Sequence, residues 1–196
     1  MSTGMRTRRV MSTGGIRRCS ACAATLSAVN GALRDLLRAS GGLLRRADAL
    51  AVLPAHVLAQ AVRSGRLRRV LPGVYADADL AVDRQAMARA AVRYAEGTAA
   101  LSHTAALSVW QLPAPDTGPV HITVASATAL RGTAAVRVHR RAGFRPTNPD
   151  VVVRSGLPVT RLEHAIVESW PLLDDDAQRA PAVRAVAERR TTPERL

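Results

Sequence analysis

The chain has no lysine: all 28 of its basic side chains are arginine. That removes the lysine which a nuclease site of separated acids would use. The missing lysine itself reads as the trace of a GC-rich genome, so the information lies in the charge. Aromatic residues make up 3% of the composition, and a core must therefore be assembled from Leu, Val and Ala. Cysteine is confined to Cys19 and Cys22, in Cys-Ser-Ala-Cys, too few for a disulfide framework. One such pair supplies half of a four-ligand zinc site, and no second CxxC or nearby HxxxH completes it. The pair reads as two incidental thiols. Long apolar runs are missing too. The longest stretch without formal charge, Gly97 to Pro115, contains Ser102, His103, Thr104, Gln111 and two prolines, too polar to span a bilayer. The weakly apolar Cys19–Leu33 is poorer in Leu and Val than a signal peptide, so a cytoplasmic protein without membrane contact is expected.

What is present is positive charge. Over 196 residues the formal net charge is +13, and the sequence pI is about 11.6. Such a balance points to polyanions, nucleic acid first and an anionic membrane surface second. The excess is confined to the first three-quarters of the chain, because residues 147–196 carry seven Arg against eight acids. The length suits one domain or two small ones, and 47% hydrophobic content is enough to bury a core.

Residues 1–28 show no period and are expected to be a disordered basic arm. Met-Ser-Thr-Gly occurs twice there, at Met1–Gly4 and Met11–Gly14, so the arm either touches phosphates or is translated leader. From Val29 the pattern changes. Val29, Ala32, Leu33, Leu36 and Leu37 fall at amphipathic helical spacing, and Gly41-Gly42 ends that helix. A second helix is expected over about Arg45–Leu53 with Ala47, Leu50 and Ala51 inward. A third follows over about Pro54–Ser64, opened by Pro54. Its inner face is Val57, Leu58, Ala61 and Val62, and its opposite face carries His56, Gln60 and Arg63. Gly65 ends it. An arginine-rich hairpin comes next, Arg66 to Tyr75, with Pro72-Gly73 at the central positions of a type II turn.

Three short helices followed by a basic hairpin is the order of a winged helix-turn-helix. The exposed face of the third helix suits a recognition helix, with His56, Gln60 and Arg63 toward the major groove of double-stranded DNA. Arg66, Arg68 and Arg69 in the wing would hold phosphates or reach the minor groove, and Arg45 and Arg46 would add phosphate contacts.

The remainder reads as α+β. Residues 81–95 are expected to be helical with Ala86, Ala90 and Tyr94 on one face. A buried, Ala-rich helix is expected over about Ala99–Gln111. Val120–Val124 and Val136–His139 read as strands, with Val151–Val153 a shorter candidate. A helix is expected over about Leu162–Trp170, a break at Asp174-Asp175-Asp176, and a last helix over about Ala182–Arg190.

At this point the order of segments resembles the AbiEi family of antitoxins of type IV toxin–antitoxin systems. Three stretches carry the likeness: Ser64–Ala76 at the end of the winged unit, Leu101-Ser102-His103-Thr104-Ala105-Ala106 before the Val120–Val124 strand, and Gly156-Leu157-Pro158-Val159-Thr160. Together they span about residues 30–170. The chain departs from the family where His164, Ala165 and Glu168 replace an Arg-Thr pair and a helical Asp, and where Trp110 replaces a Gly. The resemblance implies a protein that binds repeats in its own promoter and represses its operon. It also implies a second domain opposing a nucleotidyltransferase-like toxin without a stable complex. Relatives that continue into a nuclease-like domain suggest that the chain is a truncated copy.

No catalytic pattern stands out. His56, His103, His121, His139 and His164 form no HExxH or related signature, and no glycine-rich phosphate loop or G-x-S-x-G occurs. The three adjacent aspartates read as a solvated loop. His103 reads as a hydrogen-bonded core residue holding its helix against the sheet, with ligand binding as the alternative. The expectation is therefore an α+β protein, not an enzyme, with no cofactor and no metal. It comprises a disordered arm at 1–28, a winged helix-turn-helix at 29–80, an antitoxin-type domain at 81–172 and a helical tail at 173–196. The alternatives are a remnant of a protein fused to an endonuclease-like domain, and a protein-interaction module with incidental charge.

Overall fold

The computed structural model describes residues 20–115 and 118–196, with side chains from residue 30 onward. The expected arm over 1–19, with Cys19, lies outside the described residues. The first helix, α1 (Ser20–Ala39), begins well before Val29, so residues 20–28, expected to be disordered, are helical. It ends where the glycines predict. Gly42 N–H donates to the Leu37 carbonyl at 2.8 Å, with Gly41 and Gly42 at φ 62° and 77°, a left-handed exit that glycine adopts without steric cost.

A short strand, β1 (Leu43–Arg45), precedes α2 (Arg46–Val52) and α3 (Ala55–Arg63). The hairpin is β2 (Leu67–Leu71) and β3 (Val74–Asp77), turning at Gly73 with φ 71°. The three strands form an antiparallel sheet in the order β1-β3-β2. Leu33, Leu37, Leu44, Leu53, Leu58, Leu67 and Tyr75 make one core between helices and sheet. Leu33, Leu58 and Leu67 are fully enclosed, each stabilising the unit by about 1.5–3 kcal/mol relative to exposure. In α2 the expected inward set is corrected: Ala49 is buried, whereas Ala47, Leu50 and Ala51 are exposed. Seven residues are too short a window for periodicity to set the phase. Leu44 and Leu53, just outside the helix, supply the burial instead.

The second part opens with α4 (Arg84–Tyr94), N-capped by Asp83, whose Oδ1 accepts from the Ala86 amide at 2.7 Å. It buries Ala86, Ala88, Ala90 and Ala91. Then come β4 (Ala99–Leu101), α5 (His103–Val109), β5 (Val120–Ala125), β6 (Val136–Arg141), β7 (Val151–Arg154), β8 (Leu157–Thr160), α6 (Leu162–Ser169) and α7 (Asp175–Ala187). The five strands form a mixed sheet in the order β6-β5-β4-β8-β7, parallel between β4 and β8 and between β5 and β6. With two sheets and seven α-helices among the described residues, the fold is α+β.

Two expectations in this part fail for identifiable reasons. Ala99–Leu101 is not the start of a helix but a fully buried central strand, flanked by β5 and β8. A three-residue apolar run carries no period, and its neighbours override alanine's helical preference. Asp174-Asp175-Asp176 is not a break: Asp174 caps α7 through the Ala177 amide at 3.1 Å, and the next two acids occupy its first turn. Negative charge there complements the helix dipole.

The proposed boundaries also look different in three dimensions. Leu43, Leu71, Val74 and Ala76 of the first sheet belong to the same core as Ala88, Ala90, Ile122 and Val124 of the second part. Leu173 and Ala185 join that core as well, so the C-terminal helix packs as part of the second unit. No helix among the described residues is long and apolar enough to cross a membrane.

Candidate functional site

The first candidate is the basic surface of the N-terminal unit. Helix α3 buries Val57, Leu58 and Ala61, which turns His56, Gln60 and Arg63 outward. All three are exposed. The arginines expected beside them sort into two groups by what they touch. Arg46, Arg63 and Arg69 are exposed, and their guanidinium groups make no hydrogen bond or ion pair with another described residue. Arg45, Arg66 and Arg68 are engaged within the protein. Arg45 pairs with Glu96 at 3.0 Å and lies 3.9 Å from Asp48. Arg66 donates to Asn30 Oδ1 at 2.7 Å, and Arg68 donates to the Leu80 carbonyl.

Position separates these residues further. Arg45 and Arg46 line a cleft with Pro72 and Gly73, at the tip of the hairpin, where the Arg46 amide donates to the Gly73 carbonyl at 2.7 Å. Arg66 lies at the other end, in a groove with Ser64, Asp77 and Asp79. The eight residues therefore do not converge on one spot. They are strung along the β1–α2 junction, α3 and the hairpin, with Arg66 turned toward α1 and acidic neighbours.

The second candidate lies on the five-stranded sheet. Along β5, Val120, Ile122 and Val124 enter the main core. Alternation turns His121 and Thr123 to the opposite face. His139 pairs with Thr123 across the parallel β5–β6 ladder and shares that face. Its ring is 5.1 Å from that of His121, and His121 Nδ1 and His139 Nε2 are 2.8 Å apart. His103, the first residue of α5, holds a left-handed backbone at φ 49° and stacks on His139 with centroids 3.7 Å apart. One ligand atom from each of the three rings falls within 4.8 Å of the others.

Around the rings sits a charged network. His103 Nδ1 is 3.0 Å from Ser102 Oγ and 3.7 Å from Glu168 Oε2. Arg141 links Glu168 at 3.2 Å, Asp150 at 3.3 Å and His164 Nδ1 at 2.9 Å. An N–H of Arg141 donates to His164 Nδ1, so that nitrogen is the acceptor and the neutral ring carries its proton on Nε2. His164 and Glu168 thus converge on one guanidinium. Ala165 is buried in the main core instead.

Burial sets the electrostatics here. It holds His103 down to about 3, reinforced by His139 and His121. It holds His121 down to about 4, reinforced by His139, Arg137 and Arg84. His139 is lowered by burial and by Arg137. Burial raises Glu168, against the pull of Arg141, His164 and the His103 amide. Three neutral imidazoles are therefore packed together at pH 7, the protonation state in which histidine ligates a metal.

As a set, this cluster was not visible from spacing. The strands carrying His121 and His139 were legible, but their parallel pairing was not. The spacing places His103 inside a longer helix over about Ala99–Gln111, whereas it is the first residue of the shorter α5.

No family model matches the chain, and no curated protein sequence matches it. Among solved structures, the chain is similar to the RV2827C protein from Mycobacterium tuberculosis, with a TM-score of 0.54 at 16% identity. The match covers 74% of this chain and 60% of that protein, so this chain spans less than two-thirds of its length. The likeness supports a shared fold.

Proposed function

We propose that this chain is a sequence-specific binder of double-stranded DNA, with residues 29–80 acting as a winged helix-turn-helix. The observation that carries the reading is the exposed His56, Gln60 and Arg63 face of α3, directly followed by an arginine-bearing hairpin. A helix docked by one face and presenting side chains with donors and acceptors on the other can enter a major groove and read base edges. Arg63 is the strongest base-reading candidate, since its planar fork matches guanine O6 and N7. Arg69 and Arg46, whose guanidinium groups have no partner among the described residues, supply phosphate contacts, and the net charge of +13 supplies long-range attraction.

By its resemblance to the AbiEi antitoxins, the chain acts in the cytoplasm as an autoregulating repressor on its own promoter. The second unit opposes a nucleotidyltransferase-like toxin without a stable complex. The chain itself is not an enzyme in this reading.

The test is binding of the purified protein to the DNA upstream of its own gene and to a scrambled duplex, followed by fluorescence anisotropy across a salt series. Tighter binding to the native duplex, with log affinity falling linearly against log salt, supports the reading. Equal affinity for both duplexes refutes a sequence-specific regulator.

A further inference from the structure

We propose that His103, His121 and His139 form a binding site for one first-row divalent cation, zinc foremost, with water completing a four-coordinate shell. The proposal is independent of DNA binding.

Three histidines from three separate elements, α5, β5 and β6, deliver a ligand atom each to a region 4.8 Å across. A tetrahedral zinc with Zn–N bonds of about 2.0–2.1 Å places neighbouring nitrogens about 3.3 Å apart. The His121–His139 pair, at 2.8 Å, would open slightly, and the widest pair would close by at most about 1.5 Å. The rings stack within 19–27° of parallel, so ligation also requires them to turn until their in-plane lone pairs converge, and requires the proton of the His121–His139 hydrogen bond to move to the outer nitrogen of its ring. The donor set also decides the class of ion: imidazole nitrogens suit zinc, copper and nickel, whereas magnesium and calcium require oxygen.

The surroundings fit a metal site in two further respects. Ser102 Oγ and Glu168 lie on the Nδ1 side of His103, which leaves Nε2 for the ion, the orientation that outer carboxylates impose on metal-bound histidines. Glu168 also brings negative charge to a neighbourhood made positive by Arg84, Arg137 and Arg141. His121 is buried whereas His139 is only partly so, which gives the ion and its water an approach from the β6 side.

Cys19 and Cys22 could capture zinc on their own, so the test must separate the two sites. The full chain, stripped with EDTA, is titrated with Zn²⁺ by calorimetry and with Co²⁺ by absorption spectroscopy. One ion per chain is expected, with the Co²⁺ bands of a four-coordinate nitrogen site and no thiolate charge-transfer band. The double variant Cys19→Ser, Cys22→Ser should bind as the parent does, while His139→Asn should abolish stoichiometric binding. Glu168→Gln should weaken it at least about tenfold, and Glu168→Asp should recover part of the loss, as a positioning carboxylate requires. Lack of stoichiometric binding, binding that survives His139→Asn, or binding that disappears with the cysteines would each overturn the site. If His139→Asn does not fold by circular dichroism, the decision passes to the cysteine-free double variant. Its unfolding midpoint must rise with Zn²⁺ concentration, because an ion that binds only the native state stabilises it; a midpoint indifferent to Zn²⁺ would overturn the site equally.

Discussion

At the scale of single residues, the structure separates arginines that a sequence treats as equivalent. Arg63 and Arg69 are exposed and free of partners among the described residues, whereas Arg66 and Arg68 are held by Asn30 and the Leu80 carbonyl. Arg63→Ala is therefore expected to cost about 1–3 kcal/mol of discrimination between the native and scrambled duplexes. Arg69→Ala should weaken both duplexes alike and reduce the salt slope by about one. Arg68→Ala should change that slope less, since its guanidinium is already committed. Anisotropy titrations of the three variants at several salt concentrations decide this, and equal slopes for Arg68→Ala and Arg69→Ala would remove the distinction. The histidines make a separate prediction about pH. His103 and His121 are held at about 3 and about 4, below the ordinary 6.5. In that window the unfolded chain binds protons that the native state refuses. Their contribution to stability is thus complete above pH 6.5 and is lost as pH falls from there through about 4 for His121 and about 3 for His103. Glu168, raised by burial, works in the opposite sense above its ordinary 4.5 and offsets part of the slope. Urea midpoints measured in EDTA should fall on acidification from pH 7.5 to 5, and less steeply in His121→Asn. Parallel curves for parent and variant would show that the ring is not the source.

At the scale of elements, what could be read in advance was what carried a local signal. Helix α3 is the best case: Pro54 before it, Gly65 after it, and Val57, Leu58 and Ala61 inward, all as the spacing implied. Leu58→Ala should destabilise the protein by about 2–5 kcal/mol, because Leu58 is fully enclosed and its removal leaves a cavity. Chemical denaturation checks this, and a loss below 1 kcal/mol would mean the core collapses to fill the space. What could not be read depended on partners distant in sequence. Strands β1, β4 and β8 are three or four residues long, and each exists because another strand lies beside it. Ala99–Leu101 illustrates the limit, since nothing in Ala-Ala-Leu distinguishes a buried strand from a helix until β5 and β8 flank it. The same limit concealed the histidine cluster, which arises from the parallel β5–β6 register and the left-handed turn at His103.

At the scale of the whole molecule, strand β3 matters most. Tyr75 points into the core beneath the N-terminal helices, while Val74 and Ala76, on the other side of the same strand, belong to the core that α4 and the larger sheet share. A boundary after residue 80 therefore cuts through a shared core. A fragment ending there would expose Leu43, Leu71, Val74 and Ala76, and should lose cooperative unfolding. Both tryptophans, Trp110 and Trp170, lie in the second unit, so their fluorescence reports that unit alone while far-ultraviolet circular dichroism reports the entire chain. The two signals should trace one coincident transition in the intact protein; separate midpoints would show that the units melt independently. If a single strand is the wall of both cores, the hairpin bearing Arg69 cannot open without disturbing the sheet behind it. Anything that tightens the larger sheet then dampens the fluctuations of the hairpin, so that the energetic state of one half becomes a property of the other.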